Sequence, residues 1–117
     1  RAARENLAGA EQMVRAVEVE LRSAVTAAWQ DLVAAHTSAQ NLRREVLPAT
    51  EEAYAAVRSA YERGALPLID VLDAQRALAA LRREILAAES AYAAAFVRLE
   101  ALTEPTFASL TTLLHQP

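Results

Sequence analysis

Apolar positions recur along this chain at steps of three, four and seven. In the first part they run Leu7, Val14, Leu21, Ala28 and, alongside, Ala10, Val17, Val25, Leu32. That spacing predicts a long amphipathic helix with a coiled-coil seam. Arg15, Glu18, Arg22 and Asp31 fall between the seams. Pro48 interrupts the pattern, because it lacks an N–H and its ring crowds the preceding turn. The helix is therefore expected to kink or restart there, with Thr50, Glu51 and Glu52 supporting the restart. The pattern then continues through Ala53, Val57 and Tyr61 to Arg63.

Gly64 follows the last periodic residue and reads as a helix C-cap. Pro67 fits the first turn of a new helix, where a missing N–H costs nothing. The next seam is the clearest in the chain. Val71, Ala74, Leu78, Leu81, Ile85, Ala88, Tyr92, Ala95, Leu99 and Leu102 alternate steps of three and four without a slip. A weaker apolar line through Leu72, Ala79, Leu86, Ala93 and Val97 predicts a helix flanked on two sides. Pro105 breaks the pattern, and Thr103 or Thr106 is placed to cap a short last helix through Phe107, Leu110, Leu113 and Leu114.

The expected fold is thus all-α: an elongated antiparallel helical hairpin forming one unit over residues 1–117. Its parts are a helix over 2–63 kinked near Pro48, a turn over 64–67, a helix over 68–103 and a short helix over 106–114. At about 1.5 Å per residue the first helix would span roughly 90 Å and the second roughly 55 Å. The return helix would then cover only residues 25 to 63, leaving the seam of the first 25 residues without a partner in this chain. The first residues already read as helix interior, so the chain is expected to be a piece of a longer protein.

Composition narrows the function classes. Slightly more than half of the 117 residues are apolar and Ala-dominated, so any core is thin and close-packed. Two Gly and four Pro are too few for an all-β design. The net charge is -3, every basic residue is Arg, and no basic stripe carries aromatics, which speaks against nucleic-acid binding. There is no Cys, hence no thiol chemistry. No apolar run is long enough for a membrane-spanning helix. His36 and His115 are isolated and Trp29 reads as packing. No nucleophile constellation or phosphate loop is present, so neither metal, cofactor nor catalytic residue is expected.

Asp70 and Asp73 are the candidate functional pair. At i, i+3 they share one helix face. Two readings fit that spacing. Both lie early in a helix, where the macrodipole favours carboxylates. They also stand among large apolar residues in Leu-Ile-Asp-Val-Leu-Asp, the pattern of a helix with apolar flanks and one acidic edge. A ring of such edges would attract cations to a constriction.

The stretch Y-E-R-G-A-L-P-L-I-D-V-L-D-A-Q-R-A-L, residues 61 to 78, resembles the helical-tip segment of the second repeat of TolC-type outer membrane factors. Tyr61, Gly64, Asp70, Val71, Leu72, Asp73, Ala74, Gln75, Arg76 and Leu78 carry the likeness. The flanks "LPATEEAYAAVRSAYERG" and "AAESAYAAAFVRLEALT" resemble the helices entering and leaving that tip. The family usually follows Leu-Thr with Gly; here Glu104 stands instead.

The resemblance implies a fragment of the periplasmic α-barrel of an efflux channel in the outer membrane of a Gram-negative bacterium. It implies a homotrimer, a passive export conduit gated at the tip and docked there by a periplasmic adaptor protein that links it to an inner-membrane pump. By the same likeness Asp70, Asp73 and Tyr61 would narrow the closed pore, and Gly64, Ala65, Leu66 and Pro67 would meet the adaptor. Some members carry an Arg two residues after the Gly. Leu66 occupies that place, so an Arg latch is not expected. The alternative class is a coiled-coil interaction module unrelated to efflux, and the sequence upstream of Arg1 discriminates the two.

Overall fold

The computed structural model describes residues 1–115, with no account of the side chains of 105–110 and 113. Among the described residues every regular element is helical. Helix α1 covers Ala2–Asn41, a π-helical segment Leu42–Val46 follows without a break, and α2 covers Leu47–Glu62. After a short turn, α3 covers Leu68–Leu114. The chain divides into two compact units: residues 33–94, and residues 1–32 together with the stretch from Ala95 onward.

The unit of residues 33–94 is a helical hairpin. Its core is Val71, Leu78, Leu81 and Ile85 of α3. Half-buried Ala35, Ala39, Leu42, Val46, Leu47, Tyr54, Val57 and Ala60 face them from the other arm. Full burial of a Leu or Ile contributes about 1.5–3 kcal/mol, so a few such side chains carry most of the packing energy of a pair this thin. Three contacts between the arms mark the antiparallel register. Gln75 Nε2 donates to Tyr54 Oη at 3.1 Å. Arg43 Nε donates to Glu89 Oε1 at 2.8 Å. The rings of His36 and Tyr92 stand 5.2 Å apart at 43°.

In the other unit Ala28, Leu32 and Ala95 are buried, Val25, Leu99 and Leu102 are half-buried, and Arg98 meets Asp31 at 3.7 Å. Every residue from 1 to 24 is exposed, including Leu7, Val14 and Val17 at 58–62%. The seam predicted for this stretch therefore lies open. Trp29, expected to pack, is 56% exposed.

The α3 seam matches expectation at every position, since all its members from Val71 to Leu102 are buried or half-buried. The second line does not pack: Leu72, Leu86 and Val97 are 37%, 64% and 61% exposed. On α2 the core line runs through Tyr54, Val57 and Ala60, leaving Ala53 and Tyr61 outside it.

The two prolines expected to interrupt helices are both absorbed. Before Pro48 the helix widens into the π-segment, and the N–H of Leu47 bonds to the carbonyl of Leu42. The i→i+5 turn adds room where the proline ring would crowd an α-turn. Thr50 does not cap a restart; its hydroxyl donates to the carbonyl of Val46 at 2.8 Å. At Pro105 the helix does not end, so the expected break between 68–103 and a separate helix over 106–114 is replaced by a single α3. One missing N–H removes one rung of a long ladder, and the rungs on both sides remain. Thr103 is likewise internal, its hydroxyl donating to the carbonyls of Leu99 and Glu100 at 3.1 Å each. The side chains of Thr106, Phe107, Leu110 and Leu113 lie outside the described set.

Candidate functional site: the turn and the start of the third helix

The chain reverses through a Schellman motif, which explains why Gly stands at position 64. Gly64 has φ +78°, the left-handed region that side chains with a Cβ rarely enter. Its N–H bonds to the carbonyl of Tyr61 at 2.9 Å, and that of Ala65 reaches the carbonyl of Ala60 at 2.8 Å. These two bonds satisfy carbonyls that the end of α2 would otherwise leave open. The N–H of Arg63 bonds to Ser59 at 3.1 Å and closes the last ordinary turn. Pro67 then precedes α3, and its carbonyl accepts the N–H of Asp70 at 3.1 Å.

The first turns of α3 have three distinct faces. Val71 is buried and Ala74 half-buried against the other arm. At about 100° per residue, Leu68 and Leu72 lie to one side of that line, and Asp70 and Asp73 to the other. Leu68 is 51% exposed and Leu72 37%, and Ile69 on the outer face is 54% exposed. Asp70 is half-buried and its carboxylate has no hydrogen-bond or ion-pair partner among the described residues. No buried side-chain oxygen there lacks a partner, so the Asp70 carboxylate keeps contact with water. Asp73 is exposed and lies 3.9 Å from Arg76, one turn on. A pair so open and long adds little stability.

The residues singled out in the sequence thus fall within one turn and the two helix ends it joins. Tyr61, in the last turn of α2, is 41% exposed. Leu66 is half-buried, while Gly64, Ala65 and Pro67 are exposed. What sequence reasoning missed is the brace between Tyr54 and Gln75 behind the turn. A long polar side chain one residue past the Ala74 seam position, with a Tyr on the opposite arm, was the available signal. Among the described residues no three His, Cys, Asp or Glu side chains gather to hold a metal. No described helix is long and apolar enough to cross a membrane.

The outer membrane efflux protein family matches residues 1–103. The chain belongs to that family, whose members are channels, not enzymes. No curated protein and no solved structure matches it.

Proposed function

We propose that this chain is part of the periplasmic helical barrel of an outer membrane efflux channel, and that residues 61 to 73 form its tip. The full channel is a homotrimer that conducts passively. It opens and closes at the tip and is joined there to a periplasmic adaptor and, through it, to an inner-membrane pump. The observation that carries this reading is the division of the helix start behind the Gly64 turn. Asp70 and Asp73 supply an acidic edge that stays wet, and Leu68, Ile69 and Leu72 supply exposed apolar surface on the remaining sides. An acidic edge suits a pore lining that attracts cations. Exposed Leu and Ile at a tip suit a protein partner, because a continuous apolar patch in water is a cost that contact relieves. Tyr61 stands next to the cap and narrows the same constriction.

A photo-crosslinking residue placed at Ala65 or Leu66 of the full-length channel tests the docking. Capture of the adaptor in cells, with no capture from a residue placed at exposed Ala87 midway along α3, is expected. Loss of all adaptor capture across 64–67 would overturn the assignment of the turn.

A further inference from the structure

The hairpin contains the same short sentence twice. Leu-Arg-Arg-Glu-Val-Leu at residues 42–47 and Leu-Arg-Arg-Glu-Ile-Leu at 81–86 differ only by Val46 against Ile85. The antiparallel register, fixed by Tyr54 with Gln75 and Arg43 with Glu89, sets the two copies opposite each other. Their conformations differ. The first copy is π-helical up to Leu47 and the second is α-helical throughout. The π-turn carries Leu47 over Leu42 rather than past it, so Leu47 is half-buried. Its counterpart Leu86 remains 64% exposed.

The result is a groove of about 320 Å³ lined by Arg43, Leu47, Arg82, Ile85 and Leu86. Its floor is aliphatic and each arm contributes one guanidinium. Arg43 is held in place by Glu89, which meets its Nε and one terminal nitrogen and leaves the other terminal nitrogen uncommitted. Arg82 has no hydrogen-bond or ion-pair partner among the described residues. A cationic rim above an apolar floor is the recognition chemistry of an anionic amphiphile. The headgroup takes charge-assisted bonds from the guanidinium forks, and the tail covers aliphatic carbon.

We infer that this groove is a binding site for an anionic amphiphile, a carboxylate on an aliphatic chain being the simplest member of the class. Neither the turn nor the adaptor enters the reasoning, so the site stands or falls independently of the tip assignment.

Binding of radiolabelled laurate to the full-length channel, held in nanodiscs of zwitterionic lipid, tests it against dodecanol and dodecyltrimethylammonium. Saturable binding of laurate in preference to both is expected, weakening as salt is raised. Arg82→Gln should weaken laurate by about tenfold, the loss of roughly one charge-assisted contact, and leave dodecanol unchanged. Leu86→Glu should abolish laurate binding. Equal uptake of laurate and the cationic amphiphile would overturn the inference. So would laurate binding that neither Arg82→Gln nor salt changes. The salt dependence is read on the unaltered protein, so the test survives a variant that fails to assemble.

Discussion

The two glycines of the chain are predicted to respond to the same substitution with opposite signs. At Gly64 an added Cβ would meet nothing within 4 Å, so Gly64→Ala creates no clash. Its whole cost is conformational, because φ is +78°. An L-residue in the left-handed region costs about 1–2 kcal/mol. Part of this is offset, since losing a glycine restricts the unfolded chain and returns about 0.4–1 kcal/mol. The net expectation is a destabilisation of about 1 kcal/mol, roughly a fivefold fall in the folding equilibrium constant.

Urea unfolding followed by helical circular dichroism reads this directly. With a slope of about 1–3 kcal/mol per molar, the midpoint should fall by roughly 0.3–1 M at unchanged slope. Gly64→Asn should lose less, because Asn tolerates the left-handed region better than Ala. A D-alanine introduced by synthesis should raise the midpoint, since it prefers positive φ and also stiffens the unfolded chain. Gly9 is the control. It sits inside α1, also with open space around it, and carries no positive φ. Gly9→Ala should strengthen the helix by up to about 1 kcal/mol, seen as slower amide exchange in the first turns of α1. A Gly64→Ala protein as stable as the parent would refute the capping argument, because no packing effect is available to hide the strain.

Ile85 is 3% exposed, so Ile85→Ala should cost about 2–5 kcal/mol in the same urea assay. Leu86→Ala, one residue on and 64% exposed, should change stability by no more than about 0.5 kcal/mol. Comparable losses at the two positions would contradict the register of the hairpin. The bond between Arg43 and Glu89 joins side chains that are 58% and 41% exposed, so a double-mutant cycle with Glu89→Gln should find no more than about 1 kcal/mol. A coupling well above that would mean the pair is shielded from water. In the full-length channel, Asp70→Asn combined with Asp73→Asn should weaken block by multivalent cations in single-channel recordings. Unchanged block would remove both carboxylates from the proposed constriction.

The α3 seam was fully legible because one rule, a step of three or four, acts at every position from Val71 to Leu102. Its second apolar line stays open for a reason the hairpin itself supplies. An apolar side chain signals that a surface is suited to burial, and a hairpin has only one other arm to offer, so Leu72, Leu86 and Val97 stay exposed. The acidic pair was legible as residues on one face but not as a function. A helix start favours Asp70 and Asp73 whether or not a pore exists. The duplicated Leu-Arg-Arg-Glu stretch was visible in the letters, yet only the register of the hairpin makes it a groove.

The prolines show most clearly where sequence reasoning runs out. Pro48, Pro67 and Pro105 carry the same local handicap, a missing N–H and a ring that crowds the previous turn. Only Pro67 coincides with a reversal of the chain, and it does not cause it. The reversal is made at Gly64, whose positive φ allows the N–H groups of residues 64 and 65 to turn back onto α2. Pro67 follows a helix that has already ended. Pro48 lacks such a glycine, so its neighbours stay helical and the strain is taken up by one wider turn at Leu42–Val46. Pro105 also lacks one, and α3 continues past it to Leu114. In a chain this rich in alanine the helix is the default on both sides of a proline, and stopping it requires a residue that can leave the right-handed region. Gly64→Ala therefore probes more than a cap: it removes the one residue in the described chain with a positive φ, at the only place where the helices turn back.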